Sequence, residues 1–279
     1  GTTVTMTSGT TACVITADQA GSATTTAAPQ ISKTVAAALA VQNPLLLSAT
    51  TTSLTYNPST PASTALQISG GSGTGAVTVG VGAGEPCSVA LSGGIWTLTS
   101  SGAGTCHVSA TRAADANYQS MAASALVVTV AKASATLTYD STSKTVQFGA
   151  AFTGPTASTN STASIVYSSS DTSVATVNSS TGAVTIVGVG STTISAQAPT
   201  NANYLASPTV SYVLNVTAVP QSLTWNAATN GLTSKAFGDT FTIGATSTAG
   251  LTPTYSASGG CSRSEEHTSE LQSRETISY

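Results

Sequence analysis

The sequence predicts an all-β protein made of tandem β-sandwiches, and three observations lead to this prediction. Residues 102–118 return without a gap as residues 188–204, and a weaker copy lies at residues 11–21. The 279 residues include 42 Ser and 52 Thr, and Thr, like the abundant Val, favours pleated strands. Short runs of alternating apolar and polar residues are separated by Gly, Asn and Asp turns, a spacing typical of a sandwich.

The composition excludes several classes of function. Charged residues make up only 6 % of the chain and the net charge is −3, so the chain lacks the basic patch that binds nucleic acid. No apolar run reaches the length of about 18 residues that spans a membrane. The hydrophobic fraction of 40 % is sufficient for a folded core. We therefore expect a folded protein with no nucleic-acid partner and no membrane segment in this fragment.

Charge is concentrated at the end of the sequence. Residues 1–262 contain 11 charged residues, whereas residues 263–279 contain six. Residues 263–273 resemble one reading frame of a common sequencing-library adapter, so we interpret residues 263–279 as an artefactual tail outside the fold. The alternative is a natural charged C-terminal helix. In either case, His267 and its neighbouring glutamates do not indicate a metal site.

The repeats divide the chain into a series of predicted domains. Residues 1–42 are expected to be the C-terminal half of a repeat, with strands over residues 12–17 and 30–35. The Ala-rich residues 35–39 are interpreted as a linker rather than a helix. The remaining domains are two complete repeats at residues 43–132 and 133–218, the N-terminal half of a repeat at residues 219–262, and the tail.

Each complete repeat is predicted to contain about seven short strands. In the first they cover residues 53–57, 66–69, 76–81, 88–91, 95–99, 105–111 and 125–131. In the second they cover residues 136–139, 144–148, 164–168, 174–178, 183–187, 191–198 and 209–216. The last partial repeat is predicted to have strands at residues 222–226, 240–245 and 252–258.

Aromatic residues recur at places that we assign to the core. In three segments, Leu and an aromatic residue lie two positions apart and therefore face the same side of a strand. Two tyrosines follow Asn-containing turns and are expected to cover the end of a sandwich. The residues assigned to the repeat core are Tyr56, Tyr139 and Trp225, as one position in three repeats, together with Tyr118, Tyr204 and Trp96.

The second complete repeat carries a family resemblance. Residues 167–178 read YSSSDTSVATVN, and TGAV and GSTTI follow at residues 181–184 and 190–194. These motifs resemble bacterial immunoglobulin-like domains of group 2, found in adhesins of the invasin and intimin type. The first complete repeat is similar through Gly-Thr-Cys at residues 104–106 and Asp-Ala-Asn-Tyr at residues 115–118, but it differs by its cysteines. The resemblance implies tandem immunoglobulin-like β-sandwiches, two complete and two partial, in a bacterial cell-surface or secreted protein without catalytic residues.

The four cysteines suggest a structural disulfide. Cys87 and Cys106 lie in one repeat, and the next repeat has other residues at both places. Because both cysteines are replaced together, we hypothesise a Cys87–Cys106 disulfide, which suits an exported protein. Two buried thiols remain the alternative. The other cysteines align with this pair in the partial repeats, Cys13 with Cys106 and Cys261 with Cys87.

No residue pattern indicates an enzyme, a cofactor site or a metal site. His107 alternates with Val108 along a strand, so its side chain is expected to face solvent. The Gly-rich residues 70–75 precede a strand rather than the helix of a phosphate-binding loop and are interpreted as a turn. Asp115 and Asn117 offer oxygens to calcium, but this ion takes roughly six to eight oxygen ligands and carboxylates are scarce here. A turn is the favoured interpretation.

The predicted function is structural. A row of sandwiches is suited to be the stalk or spacer of an adhesin-like protein, with a host surface protein or polysaccharide bound through domains not present here. The alternative is an extracellular binding module whose loops contact host protein or polysaccharide. Clusters of exposed aromatic residues would favour binding, and the 2 Trp, 8 Tyr and 4 Phe are mostly assigned to core positions.

Overall fold

The computed structural model describes residues 1–263 and confirms the all-β fold class. These residues form 21 strands and one helix of four residues, and none of the described helical structure is long enough to cross a membrane. The chain divides into two compact units, Gly1–Val216 and Thr217–Tyr279, which are described separately. The interpreted tail lies outside the described residues, apart from Arg263.

The first unit opens with an antiparallel hairpin of strands β1 (Cys13–Gln19) and β2 (Ala28–Val35). Nearly all of its side chains are exposed, since no second sheet covers it among the described residues. Val35 ends β2 and residues 36–39 form no helix, so the Ala-rich segment is not helical, and its role as a linker stays a prediction.

Nine strands form the first complete sandwich. They are β3 (Leu45–Ala49), β4 (Ser53–Thr55), β5 (Ser63–Gly70), β6 (Val77–Val81), β7 (Cys87–Ser92), β8 (Ile95–Ser100), β9 (Gly104–Arg112), β10 (Met121–Ala122) and β11 (Leu126–Ala131). One sheet has the order β3-β5-β8-β7, and the other pairs β9 with β6, β10 and β11. These are the A-B-E-D and C-F-G sheets of a constant-type immunoglobulin domain, with β4 added in parallel beside β11.

The core of this sandwich follows from the alternation of apolar residues along its strands. On β9, Cys106, Val108 and Ala110 are buried, whereas His107 and Ser109 are exposed. Both sheets contribute to one cluster, against which Trp96 packs in a partly buried position, as expected. The buried cluster consists of Leu54, Leu66, Cys87, Leu98, Cys106, Val108, Val128 and Val130.

Eight further strands form the second sandwich. They are β12 (Leu137–Tyr139), β13 (Ser143–Gln147), β14 (Ala157–Thr159), β15 (Val166–Ser169), β16 (Ala175–Val177), β17 (Val184–Ile186), β18 (Gly190–Gln197) and β19 (Val210–Thr217). One sheet has the order β13-β19-β18-β15, and the pairs β12–β14 and β16–β17 lie apart from it. Tyr139 packs against the core and meets Tyr212 edge to face, with ring centroids 5.0 Å apart.

The structure corrects the equivalence expected for Tyr56. The strand before it, β4, lies beside the last strand β11, whereas β12, which ends at Tyr139, pairs with β14. The counterpart of β12 is therefore β3, which likewise pairs in antiparallel fashion with the second strand after it, β5. The sequence analysis missed β3 because Leu45, Leu46 and Leu47 form a run without alternation. Both segments contain a Leu-Thr-Tyr triplet, but the two triplets begin in strands with different places in the fold. Such a triplet is weak evidence of equivalence in a chain in which Thr often alternates with other residues.

The second unit contains strand β20 (Leu223–Trp225), helix α1 (Ala227–Asn230) and strand β21 (Ala245–Ser247). The two strands pair in the same way as β12 and β14, so the expected equivalence of Trp225 with Tyr139 holds. The predictions of strands at residues 240–245 and 252–258 are wrong, because β21 begins only at Ala245 and no strand follows it among the described residues.

The core assignment of Trp225 is also wrong, since its side chain is 51 % exposed. The residues described in this unit place no second sheet over it. Its indole instead stacks on Tyr255, with ring centroids 6.2 Å apart and an angle of 24° between the planes.

A disulfide joins Cys87 and Cys106. Cys87 begins β7 in one sheet and Cys106 lies in β9 of the other, with Cα atoms 6.2 Å apart, so the bond links the two sheets across the core. In the second sandwich, Thr192 stands at the corresponding place. Its hydroxyl accepts a hydrogen bond from the Asp171 N–H at 2.9 Å and lies 3.0 Å from the Ser169 hydroxyl. Hydrogen bonds thus replace a covalent link at this position.

We predict that Leu98→Ala lowers the free energy of unfolding of the first sandwich by about 2–5 kcal/mol, because it leaves a cavity in a fully packed core. The matched control is Ile95→Ala on the same strand. Ile95 is 57 % exposed, so its truncation should change stability by less than about 0.5 kcal/mol. Urea unfolding followed by Trp96 fluorescence in a Trp225→Phe background measures both, and equal losses would contradict the assigned core.

We also predict that reduction of the Cys87–Cys106 disulfide lowers the stability of the first sandwich by about 3 kcal/mol, because the cross-link restricts the unfolded chain. The same fluorescence assay with and without dithiothreitol measures this loss. A Cys87→Val, Cys106→Thr variant, which copies the second sandwich, should not respond to dithiothreitol. An equal midpoint for the wild-type protein in both buffers would argue against the disulfide.

Candidate functional site: the joints between sandwiches

A turn at residues 115–118 closes the end of the first sandwich. The Asp115 carboxylate accepts hydrogen bonds from the N–H groups of Asn117 and Tyr118, each at 2.8 Å. Its other oxygen accepts from the Thr74 N–H at 2.6 Å, which ties the turn to the Gly-rich residues 70–75. Strand β6 follows that loop, so the loop is the predicted turn and not a phosphate-binding loop.

The second sandwich builds the same turn with a neutral side chain. The Asn201 side-chain oxygen accepts from the N–H groups of Asn203 and Tyr204 at 2.9 and 2.8 Å. Its amide group donates to the Thr162 hydroxyl at 3.0 Å. An aspartate and an asparagine therefore serve equally, as in other turns closed by such side chains, and the negative charge is not essential to the geometry.

A third copy of the turn lies in the β1–β2 hairpin, at residues 22–25. Ser22 donates its N–H to the Thr25 carbonyl at 2.9 Å, as Asp115 does to Tyr118 at 3.0 Å. The Ser22 hydroxyl accepts from the Thr24 N–H at 3.3 Å. This copy is not apparent in the sequence because it shares only the alanine at the second position, Ala23, with the other two turns.

Each of the first two turns binds the linker that enters its own sandwich. The Ala40 N–H donates to the Asn117 carbonyl at 2.8 Å, and the Gln119 N–H donates to the Ala40 carbonyl at 2.9 Å. Ala133 makes the same two bonds with residues 203 and 205, both at 2.9 Å. At the entry to each sandwich, the linker thus forms a short parallel β-bridge with the turn.

The third residue of each turn also contacts the preceding domain. The Asn117 side-chain oxygen accepts from the Gly9 N–H at 3.1 Å, and the Asn203 side-chain oxygen accepts from the Ala103 N–H at 2.8 Å. Gly9 and Ala103 lie in equivalent loops, before β1 and before β9. The same bond between domains is therefore made at both joints of the first unit.

The joint before the second sandwich carries two further contacts. Tyr204 is buried and meets Tyr56 of the preceding sandwich edge to face, with ring centroids 5.8 Å apart. The Lys132 ammonium, in the linker, donates to the Asn201 carbonyl at 2.6 Å. Tyr204 thus covers the end of a sandwich, as expected. Tyr56 packs against the core of the first sandwich and also contributes to the joint, although it is not the counterpart of Tyr139.

Hydrogen bonds also determine the charge state of the turn. The Asn117 N–H first, and then the Thr74 N–H, lower the pKa of Asp115 from 3.8 to about 2. Both carboxylate oxygens of Asp115 accept hydrogen bonds within the sandwich. The geometry therefore favours a role for Asp115 in closing the turn over a role as a calcium ligand. At the equivalent place in the second sandwich, Asn201 carries no charge.

A second polar pair lies beside the disulfide. The His107 ring nitrogen lies 2.7 Å from the Glu85 carboxylate, and this bond is the main reason that the pKa of Glu85 is lowered. His107 is exposed, as alternation predicted, but its pairing with Glu85 was not foreseen. Among residues 1–263, Glu85, Cys87 and Cys106 form the one group of three potential metal ligands. Its two sulfurs are bonded to each other and offer no thiolate.

Comparison with solved structures finds tandem extracellular domains at low similarity. Protocadherin gamma B2 cadherin domains 1–5 have a TM-score of 0.34 and 14 % identity, with 75 % of this chain and 46 % of that chain covered. Drosophila N-cadherin domains 1–4 have a TM-score of 0.28 and 10 % identity, with 78 % and 61 % covered. Fibronectin(III)-like modules of Clostridium thermocellum CbhA have a TM-score of 0.26 and 12 % identity, with 62 % and 95 % covered.

The present chain spans less than two thirds of the length of these two cadherin chains. No protein-family model and no curated protein sequence matches it. At these identities the likeness concerns the fold class.

We predict that Asp115→Asn keeps the turn, as Asn201 does naturally, whereas Asp115→Ala opens it and lowers the urea midpoint at pH 7. Because the folded pKa lies below the ordinary value, the carboxylate stabilises the fold above pH 3.8, and this contribution is lost as the pH falls toward 2. Asp115→Asn should therefore lose less stability than the wild-type protein in that window. Identical acid profiles for the two proteins would contradict this assignment.

Proposed function

We propose that the chain is a structural stalk or spacer of tandem immunoglobulin-like sandwiches in a bacterial cell-surface or secreted adhesin-like protein. The observation that carries the proposal is the joint, which is built twice from the same bonds. In both cases, an Asn side chain accepts an N–H from the preceding domain, and the linker forms a parallel bridge beside the turn.

This joint suits a spacer because it restricts the angle between neighbouring sandwiches. The linker residue Ala133 is bound at both its N–H and its carbonyl. The turn residues Asn203 and Tyr204 also contact the preceding sandwich. A binding loop, in contrast, needs its side chains exposed to a partner. Here the side-chain oxygens of the turn residues are engaged in hydrogen bonds within the chain. A host protein or polysaccharide would then be bound elsewhere in the full protein.

The scarcity of charge fits the same role. A spacer has no ligand to attract, and each sandwich holds its own apolar core, so every unit adds length without depending on a charged interface. The disulfide of the first sandwich, which links its two sheets, suits an oxidising extracellular setting.

We predict that Asn203→Ala loosens the joint and frees the linker backbone around Lys132, whose side chain is already exposed, to enter the trypsin active site. Loss of one hydrogen bond worth about 0.5–1.5 kcal/mol should accelerate cleavage after Lys132 about two- to tenfold. Limited proteolysis of the full chain, followed by mass spectrometry, measures this rate against cleavage after Lys235, in an exposed loop of the second unit.

The matched control is Asn117→Ala, which removes the same bond at the other joint and should leave cleavage after Lys132 unchanged. The proposal fails if wild-type Lys132 is cut as fast as Lys235, because the linker would then be open without any substitution.

A further inference from the structure

One sheet of the second sandwich is split into two pairs of strands. In the first sandwich the corresponding sheet is continuous, in the order β3-β5-β8-β7. In the second, β12–β14 and β16–β17 are separate pairs, so β14 and β17 do not pair as β5 and β8 do. All four strands belong to one sandwich, and the cause of the split therefore lies in its own sequence.

A proline stands at the place where the two pairs should join. The Asp140 N–H donates to the Thr156 carbonyl at 3.2 Å. In the first sandwich, the Thr50 N–H donates to the Ala65 carbonyl at 3.0 Å. Each bond extends the ladder between the first strand of its sandwich and the strand that pairs with it, so Thr156 is the counterpart of Ala65. The residue before Thr156 is Pro155.

This proline removes a hydrogen-bond donor from the sheet. Its counterpart is Thr64, in the part of β5 that pairs with β8. The Ser100 N–H of β8 donates to the Ala62 carbonyl at 2.9 Å, and bonded pairs alternate along an antiparallel ladder, so the Thr64 N–H also points to β8. Proline has no N–H and is confined in sheets to edges and bulges. Residues 151–156 accordingly form no strand.

The missing pairing leaves one edge of β17 open. The Asn178 N–H donates to the Ala183 carbonyl at 2.8 Å, and the alternation of the ladder then directs the N–H and C=O of Thr185 to β16. The same groups of Val184 and Ile186 point to the opposite side. Among the residues that the structure describes, no strand pairs with β17 on that side.

An open depression of about 300 Å³ lies beside this edge, between β17 and the loop at residues 148–152. Phe148 is 44 % exposed, whereas Phe152, Val184 and Ile186 are partly buried against the core. None of the residues that line the depression is charged, and burying an unpaired charge is unfavourable. The depression therefore suits an uncharged segment with an apolar side chain.

We propose that the open edge of β17 binds an extended, uncharged peptide segment of a partner protein, which adds as a strand antiparallel to β17. The first sandwich indicates this occupant, because residues 63–66 fill the same place there, antiparallel to β8. That segment reads Ser-Thr-Ala-Leu and carries no charge. Strand addition draws affinity from main-chain hydrogen bonds and specificity from the alternate side chains. The bound peptide supplies the donor that Pro155 lacks.

This site goes beyond the stalk role and does not rest on it. The bonds between domains are made by Asn117 and Asn203, and neither residue lines the depression. Failure of the peptide to bind would leave the stalk proposal standing. Rapid cleavage after Lys132 would contradict the stalk proposal and leave the peptide site standing.

A synthetic peptide that copies residues 61–69 tests the site directly. Labelled with a fluorophore and titrated with the full chain, it should show saturable binding by fluorescence anisotropy. Bound peptide should slow hydrogen exchange of the Val184 and Ile186 amides, measured by NMR. The Thr185 amide, which is bonded to β16, is the internal control and should not change. No saturable binding, or protection confined to β8 of the first sandwich, would overturn the proposal.

Two N-methylated peptides separate strand pairing from apolar contact. Methylation at the residue that copies Thr64 removes the N–H that faces β17 and should weaken binding about two- to tenfold. Methylation at the residue that copies Ala65 is the matched control. Its N–H points away from β17, so this peptide should bind as tightly as the parent. Equal affinities of the two methylated peptides would contradict strand addition.

Pro155→Thr copies the first sandwich and should close the site from within. The restored donor lets the segment before β14 pair with β17, and a strand of the same chain competes at high effective concentration, so peptide binding should be lost. The matched control is Pro58→Thr, in an exposed turn of the first sandwich, which should bind the peptide as the wild-type protein does. Wild-type affinity in Pro155→Thr would overturn the proposal. Self-association of the full chain that the peptide competes away would also overturn it, because a second copy would then be the occupant.

Discussion

One side-chain oxygen in each sandwich determines how the rest of the first unit is arranged. The oxygen of Asp115, and its counterpart on Asn201, close a turn of four residues by accepting two backbone N–H groups. A closed turn fixes the direction of the Asn at its third position, whose side chain accepts the bond from the preceding domain and whose carbonyl accepts the linker N–H. Without it, the linker bridge and the bond to the preceding domain would lack a rigid partner. The connection between sandwiches therefore depends on a local backbone motif rather than on a large apolar interface.

Cys106 in the first sandwich and Thr192 in the second occupy equivalent positions, but different interactions hold them in place. The first joins its sheets with a disulfide, and the second uses the buried Thr192 hydroxyl and the polar groups around it. A disulfide stabilises mainly by restricting the unfolded chain, whereas a buried hydroxyl must have its hydrogen bonds satisfied within the fold. The position in the first sandwich is therefore fixed by a covalent bond between the two sheets, and the position in the second by hydrogen bonds to the neighbouring strand β15 and the loop after it.

Much of the fold could be predicted from the sequence because the repeat and the alternation are local signals. The repeat at residues 102–118 and 188–204 marks the strand and turn of both sandwiches, and the paired replacement of Cys87 and Cys106 indicates their disulfide. The strand β3 was missed because a run of three leucines has no period. Trp225 was misplaced because burial depends on a covering sheet, which a residue pattern does not reveal.

The joints could be predicted only in part. The Asn residues at positions 117 and 203 are visible in the repeat, but their partners lie 108 and 100 residues earlier in the chain. Those partners are backbone N–H groups, which every residue except Pro possesses, so no residue type reveals them. The pairing of Glu85 with His107 was hidden because strands β7 and β8 lie between the two residues, so their proximity depends on how the two sheets pack.

The most direct test of the account is whether the two complete sandwiches tumble as one body in solution. Backbone residual dipolar couplings, measured on the full chain, report the orientation of each sandwich independently. The account predicts that one alignment tensor fits the amides of residues 45–131 and 137–217. Two tensors of different magnitude, one for each sandwich, would show that the joint at Asn203 is flexible and would contradict the central claim.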